Sequence, residues 1–129
     1  MIKQILLVGL GGGVGSILRY LVSLLINKYS LSAFPLATFI VNVSGCLLIG
    51  IFMGLSGKYI AFANDLKYLL IIGICGGYTT FSTFSAENMR LLENGNYFMF
   101  GLYTLGSVAV GLLVLWLGYL ISTEYNRIF

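Results

Sequence analysis

Four long apolar stretches constrain this sequence more than any other feature. They cover roughly residues 4–26, 36–55, 66–92 and 97–122. About 20 apolar residues in a helix cross the hydrocarbon core of a bilayer, so each stretch is long enough to span it. Only 9% of the residues are charged, against about 25% in a typical soluble domain. The sequence therefore predicts an all-α membrane protein embedded in the lipid bilayer, with four transmembrane helices in a single domain, residues 1–129.

The third stretch contains a segment that forms helix poorly. Gly76-Gly77 is followed by Tyr78-Thr79-Thr80, and both glycines and β-branched residues disfavour a helix. We expect a break at residues 76–80, near the middle of the membrane. The backbone groups freed by a break find no water in hydrocarbon, so a break is tolerated only inside protein or beside a wet cavity. This break is the candidate functional site.

A broken helix presents two ends of opposite partial charge. The carbonyl end of a first half-helix, Leu66–Gly76, suits a cation, and the N–H end of a second half-helix near Thr80 suits an anion. Four helices alone hardly shield such a break from lipid, so we expect a second copy of the chain. Where two breaks meet on an antiparallel two-fold axis, four carbonyl groups can converge on one small cation.

Glycines and one arginine mark the first stretch. Residues 9–16 are similar to a dinucleotide-binding turn, but Val14 and Ser16 stand where that motif needs glycine. We therefore expect Gly11 and Gly15 to form a small-residue face for close helix packing. Arg19 is the one charge in this span, and it has two interpretations. It extends to the lipid headgroups, or it faces an aqueous vestibule or an interhelical network.

The second stretch carries an intramembrane amide. Thr38, Asn42 and Gly45 share one helix face. An Asn side chain in a membrane needs partners, so Asn42 either bonds to a neighbouring helix or donates to a pore. Further along this stretch Gly50 and Gly54 form another small-residue pair, and residues 56–65 are expected to form a loop.

The segment after the break combines aromatic rings with hydroxyl groups. Phe81 and Phe84 are three residues apart and share one side of a helix. They are either apolar bulk, or their positive ring edges line an anion path. Hydroxyl and amide donors accompany them at Ser82, Thr83, Asn42 and Tyr103. Glu87 lies at a pore mouth or pairs with Arg90 at i, i+3 spacing.

Several functional classes are disfavoured by composition. The chain has no His, no CxxC motif and no nucleophile–base pair, so we do not expect an enzyme. Cys46 and Cys75 lie in apolar stretches and are read as small hydrophobic residues. The net charge of +3 comes from scattered residues, and without a basic cluster nucleic-acid binding is not expected.

The charged residues are divided almost evenly between the two membrane faces. The side that holds both termini carries Lys3, Lys58, Lys67 and Arg127, and the opposite side carries Lys28 and Arg90, with Arg19 near it. Four positive charges against two or three are a weak bias under the positive-inside rule. Such a chain can insert in both orientations, which favours an antiparallel dimer.

Three sequence segments carry a family resemblance. Residues 76–87, the pattern Gly12-Gly13-x-Gly15-Ser16-x-x-Arg19-Tyr20 and the pattern Thr38-x-x-Val41-Asn42-x-x-Gly45 resemble the Fluc (CrcB-type) fluoride channels. Chain length and four spans fit as well, so the resemblance covers nearly the whole chain.

The resemblance implies a dual-topology antiparallel homodimer in the plasma (inner) membrane, with two fluoride pathways and passive export that lowers fluoride toxicity. It implies one central structural Na⁺ held by the backbone carbonyls of Gly76 and Thr79 from both subunits. It places Arg19 near a vestibule. The positions that match the pathway of the family are Phe81, Phe84, Asn42, Ser82, Thr83, Tyr103 and Ser107.

Two other functions compete with this interpretation. A small dual-topology multidrug transporter also has four spans, but it needs a carboxylate inside the membrane, typically in the first span. Here that span has none, and Glu87 is the one carboxylate expected at depth. A non-transporting assembly subunit would explain the glycine faces but not the polar and aromatic break.

Overall fold

The computed structural model describes residues 1–128, and the side chains of all of these except 61, 62 and 126–128. Its helices are α1 (Ile2–Tyr29), α2 (Leu36–Ser56), a short α3 (Ile60–Ala63), a π-helical segment (Lys67–Cys75), α4 (Gly76–Tyr78), α5 (Phe81–Glu93) and α6 (Tyr97–Ile128). No strand occurs in this range.

Four helical spans are long and apolar enough to cross a membrane. They run over Ile2–Tyr29, Leu36–Ser56, Lys67–Glu93 and Tyr97–Tyr125. The predicted all-α membrane fold with four spans is therefore confirmed. The first and last helices extend beyond the predicted apolar cores. The short helix α3 lies within the segment 56–65 that was predicted to be a loop.

Close backbone contacts at glycines hold the spans together. A methyl group at Gly11 would collide with the Leu69 carbonyl oxygen, and one at Gly15 with the Ile74 carbonyl oxygen. On the other side of the molecule, a methyl group at Gly50 would collide with the Leu115 carbonyl oxygen. These contacts confirm the predicted packing role of Gly11, Gly15 and Gly50, and they explain how α1 packs on the third span and α2 on α6.

The third span is interrupted two residues later than its glycines predict. Gly76 is helical (φ −63°, ψ −38°), so the prediction that the first half-helix ends at Gly76 is wrong, and α4 continues to Tyr78. The chain is extended at Thr79 (φ −78°, ψ 156°) and Thr80 (φ −149°, ψ 114°). β-Branched residues such as these two threonines favour an extended backbone.

The second of the two glycines, Gly77, serves packing rather than the break. A methyl group at Gly77 would collide with the carbonyl oxygen of Gly12 in α1. At this point the helices approach so closely that their backbones touch. The break at residues 79–80 is followed by α5, which starts at Phe81.

Candidate functional site

The side chain of Asn42 supplies the hydrogen bond that the break removes from the Thr80 N–H, and it adds one to the Thr80 carbonyl. The Thr80 N–H donates to Asn42 Oδ1 at 2.8 Å, and Asn42 Nδ2 donates to the Thr80 carbonyl at 3.1 Å. The amide therefore acts as a substitute helical neighbour for an extended, buried residue. This geometry favours the interhelical interpretation of Asn42, and it leaves one Nδ2 hydrogen for another acceptor.

Thr80 also caps the second half-helix. Its Oγ1 accepts a hydrogen bond from the Thr83 N–H at 3.3 Å, and its hydroxyl donates to Thr83 Oγ1 at 3.1 Å. An N-cap hydroxyl of this kind satisfies one of the N–H groups that every helix start leaves open. The N-terminus of α5, with its partial positive charge, therefore begins at the break.

The two diverted N–H groups release two carbonyl oxygens. In a continuous helix the Thr80 N–H would bond to Gly76 O and the Thr83 N–H would bond to Thr79 O. Here both N–H groups bond to side chains instead. The Thr79 hydroxyl donates back to Cys75 O at 2.9 Å. These are the two carbonyls that the sequence resemblance assigns to Na⁺.

Helix α2 contacts the residues around the break at two further positions besides Asn42. Ser44 Oγ and Tyr78 OH are 2.9 Å apart, and a methyl group at Gly45 would collide with the Thr79 side chain. The sequence shows Ser44 and Gly45 as a polar and a small residue of the second span, but it did not predict that Ser44 pairs with the Tyr78 hydroxyl.

The exposed face of α5 is polar and aromatic. Phe81 is 79% exposed in the single chain, and Ser82, Thr83 and Ser85 beside it are exposed too. The ring centroids of Phe81 and Phe84 lie 5.7 Å apart, which confirms that the two rings share one side. In the single chain, these side chains are therefore not packed against the other helices.

Both oxygens of the Glu87 carboxylate accept hydrogen bonds. Thr38 Oγ1 donates to Oε1 and the Tyr103 hydroxyl donates to Oε2, each at 2.7 Å. Glu87 therefore joins α5 to both α2 and α6. No ion pair between Glu87 and Arg90 occurs among the described side chains, so the predicted i, i+3 pair is not formed.

Tyr103 lies at the centre of this arrangement. Its side chain is fully buried, and its ring centroid is 4.9 Å from that of Phe84. The one hydroxyl proton of Tyr103 is hydrogen-bonded to Glu87. In this arrangement Tyr103 can therefore contribute its ring to the predicted pathway, but not a hydrogen-bond donor.

Ser107 stands apart from the other polar residues. Its Oγ is buried and has no hydrogen-bond partner among the described residues.

Two cavities lie beside α5, and the smaller of them reaches the break at Thr80. The larger, of about 390 Å³, is lined by polar groups that include Ser23, Asn27, Thr83, Glu87 and Arg90. The smaller, of about 220 Å³, is lined by Ser16, Arg19, Tyr20, Ser23, Thr38, Val41, Thr80 and Thr83. Arg19 thus faces a cavity, which favours the vestibule interpretation over the headgroup interpretation.

Sequence reasoning missed the polar stripe of α1 that lines these cavities. Ser16, Arg19, Ser23 and Asn27 recur at spacings of three or four residues, which places them on one helix face. Of these four residues, Arg19 was identified as the one charge of the span, and Ser16 was identified in a family pattern. The recurrence of polar residues along an apolar span is the signal that could have found the others.

These features define a class of protein: a helical, multi-pass membrane protein with an interrupted span whose helix ends, hydroxyls and aromatic rings surround polar cavities. The chain belongs to the family described as "CrcB-like protein, Camphor Resistance (CrcB)", which matches residues 6–119.

Similar proteins cover nearly the whole chain. A protein of Flavobacterium psychrophilum named "Fluoride-specific ion channel FluC" is 51% identical over 122 residues, which are 95% of this chain and 98% of that protein. Proteins with the same name from Azobacteroides pseudotrichonymphae and Phocaeicola vulgatus are 48% and 49% identical, over 95% and 90% of this chain and 98% and 95% of theirs.

Proposed function

We propose that this chain is a fluoride-selective ion channel through which fluoride leaves the cell passively, lowering its toxicity. The observation that carries this proposal is the interrupted third span, with Phe81, Phe84 and a row of hydroxyls at its second half. This arrangement occurs in a chain 51% identical to a protein named as a fluoride-specific channel. That name describes an ion channel and not an enzyme.

Several groups near the break can replace the hydration shell of a small anion. Fluoride is strongly hydrated, so a selective path must supply donors at close range. The N-terminus of α5 carries partial positive charge, Ser82 and Thr83 add hydroxyls, and the edges of Phe81 and Phe84 add weakly positive surface. Asn42 retains one N–H for an acceptor beside the break.

A second copy completes this path in the proposal. The hydroxyl-bearing face of α5 is exposed in the single chain, and leaving hydroxyls against hydrocarbon at this depth is costly. An inverted copy of the same chain offers the same face. The nearly balanced loop charges permit both orientations in the membrane, so the assembly is an antiparallel homodimer with dual topology, placed in the plasma (inner) membrane.

A structural Na⁺ fits the carbonyl groups at the break. Gly76 is exposed in the single chain, and the helical N–H partners of the Gly76 and Thr79 carbonyls are diverted to side chains. Carbonyl oxygens at half-helix C-termini are suitable ligands for Na⁺ in membrane proteins. When bound, the ion would supply positive charge at the centre of the dimer and tie its two halves together.

The decisive experiment is ion efflux from liposomes that contain the purified protein. Vesicles loaded with potassium fluoride and treated with valinomycin should release fluoride rapidly, while vesicles loaded with potassium chloride should not. A folded dimer that releases no fluoride would contradict the proposal. Proton-coupled uptake of a cationic dye would then support the transporter instead.

A further inference from the structure

Helix α5 is fastened to the rest of the chain mainly through polar side chains. In the single chain its buried residues are Asn88 and Leu91. Two hydrogen bonds connect it to α6 side by side: Tyr103 to Glu87 at 2.7 Å and Thr104 Oγ1 to Asn88 Oδ1 at 3.0 Å. Adjacent residues on one helix thus pair with adjacent residues on the other.

Both the oxygen and the nitrogen of the Asn88 amide are hydrogen-bonded. The oxygen accepts from Thr104, and Nδ2 donates to the Phe84 carbonyl at 3.1 Å. Asn88 is buried, with only 6% of its surface exposed. Asn88 therefore links the backbone of Phe84 to α6. The link joins α6 next to Tyr103, the residue whose ring contacts the Phe84 ring.

The two hydrogen bonds differ in what can disturb them. The Glu87 bond involves a carboxylate on a flexible side chain at the edge of a polar cavity, so ions and water in that cavity act on it. The Asn88 bond is neutral and buried, which shields it from those influences. Asn88 and Thr104 can therefore keep α5 at a fixed rotation about its axis while Glu87 interacts with ions and water in the cavity.

We infer that Asn88 and Thr104 are positioning residues that fix the orientation of α5, and with it the placement of Phe84 and Glu87 along the path. This inference rests on the proposed fluoride conduction. It gives a role to a polar pair that no sequence motif identified. Neither side chain needs to touch the ion.

Single-channel recording in planar bilayers tests the inference. Thr104→Val removes the hydroxyl and keeps the shape, and Thr104→Ser keeps the hydroxyl. Interhelical hydrogen bonds in membranes are worth about 0.6 kcal/mol on average and about 1.7 at most, so we expect Thr104→Val to lower the unitary fluoride current about threefold, and at most about twentyfold. Thr104→Ser should retain most of the current. In Asn88→Ala the current should also fall, and the double variant Asn88→Ala/Thr104→Val should lose no more than the worse single variant.

A matched control separates positioning from stability. Among the described residues, the Thr123 hydroxyl bonds within its own helix, to Tyr119 O and Leu120 O, so Thr123→Val should leave the unitary current unchanged. A purely structural role for Thr104 would reduce the number of active channels and leave the current through each channel unchanged, and that result would overturn the inference. If Thr104→Val gives no folded dimer, Thr104→Cys provides a weaker donor, and an unreduced unitary current in it would overturn the inference equally. Absence of fluoride current in the unaltered protein would refute the proposed function instead.

Discussion

The Asn42 side chain takes the place of a backbone hydrogen-bond partner for Thr80, where the third span is extended. Its amide bonds to both the N–H and the carbonyl of Thr80, and Thr80 is buried at 8% exposure. Removal of the amide would leave the buried Thr80 N–H without a partner, which is the costly case for a hydrogen bond, while the Thr80 carbonyl would keep its place as the N-cap acceptor of α5.

We predict that Asn42→Ala destabilises the folded protein by roughly 1–3 kcal/mol, since that is the usual penalty for an unsatisfied buried group. Chemical or thermal unfolding in detergent would measure it. Ser107→Ala is the matched control, because the Ser107 hydroxyl has no hydrogen bond to lose among the described residues. Equal stability of Asn42→Ala and the unaltered protein would show that water replaces the amide.

The two phenylalanines of α5 differ in their surroundings and therefore separate function from folding. Phe81 is 79% exposed in the single chain, so Phe81→Ile should leave the fold intact and suppress fluoride efflux if its ring edge lines the path. Phe98 on α6 is similarly exposed, at 76%, and Phe98→Ile should conduct normally. Liposome efflux compares the two variants directly, and equal rates would remove Phe81 from the path.

At the scale of helices, the packing of α1 against the third span depends on small residues at several positions. We predict that Gly15→Ala prevents correct folding, because the new methyl group would collide with the Ile74 carbonyl oxygen and lie 2.8 Å from the Tyr78 backbone nitrogen. Gly101→Ala adds the same methyl group where nothing lies within 4 Å, and should be tolerated. Size-exclusion profiles of both variants test this, and a monodisperse Gly15→Ala protein would contradict it.

The spans and the region of the break, residues 76–80, were predictable from the sequence, but the residue at which the first half-helix ends was not. Hydropathy and length locate spans well because hydrocarbon requires long apolar helices. The helical conformation at Gly77 is accompanied by a close contact with Gly12 of α1, which local propensity does not contain. The π-helical segment Lys67–Cys75 left no recognisable signal either, since π-helices are rare and have no strong residue preference.

The residues of the site were predictable to a similar degree. Polar residues in an apolar span are conspicuous, so Asn42, Thr83 and Glu87 were found. Their partners were not, because whether Glu87 meets Arg90 or Tyr103 depends on how α5 packs against α6. A pairing between helices of this kind is settled by tertiary structure.

At the scale of the whole molecule, positive charge at the cavities should attract anions. Arg19 lines the cavity of about 220 Å³. We predict that Arg19→Gln lowers fluoride flux at low ionic strength, and that the difference shrinks as salt rises, because about 0.1 M salt screens charges beyond roughly 10 Å. Lys3→Gln is the control, since Lys3 pairs with Asp65 away from the cavity. An Arg19→Gln loss that is independent of salt would indicate a structural role.

The hydrogen bonds of the break also bear on the order in which the protein is made. Asn42 and the Thr80 hydroxyl accept hydrogen bonds from the Thr80 and Thr83 N–H groups within one chain. A newly inserted copy therefore needs no second chain to satisfy these two N–H groups. Each copy can adopt its interrupted span alone, in whichever orientation it entered. In the proposed antiparallel dimer, the encounter with an inverted copy and with a cation is then a separate and later step, whose yield depends on how equally the two orientations are supplied.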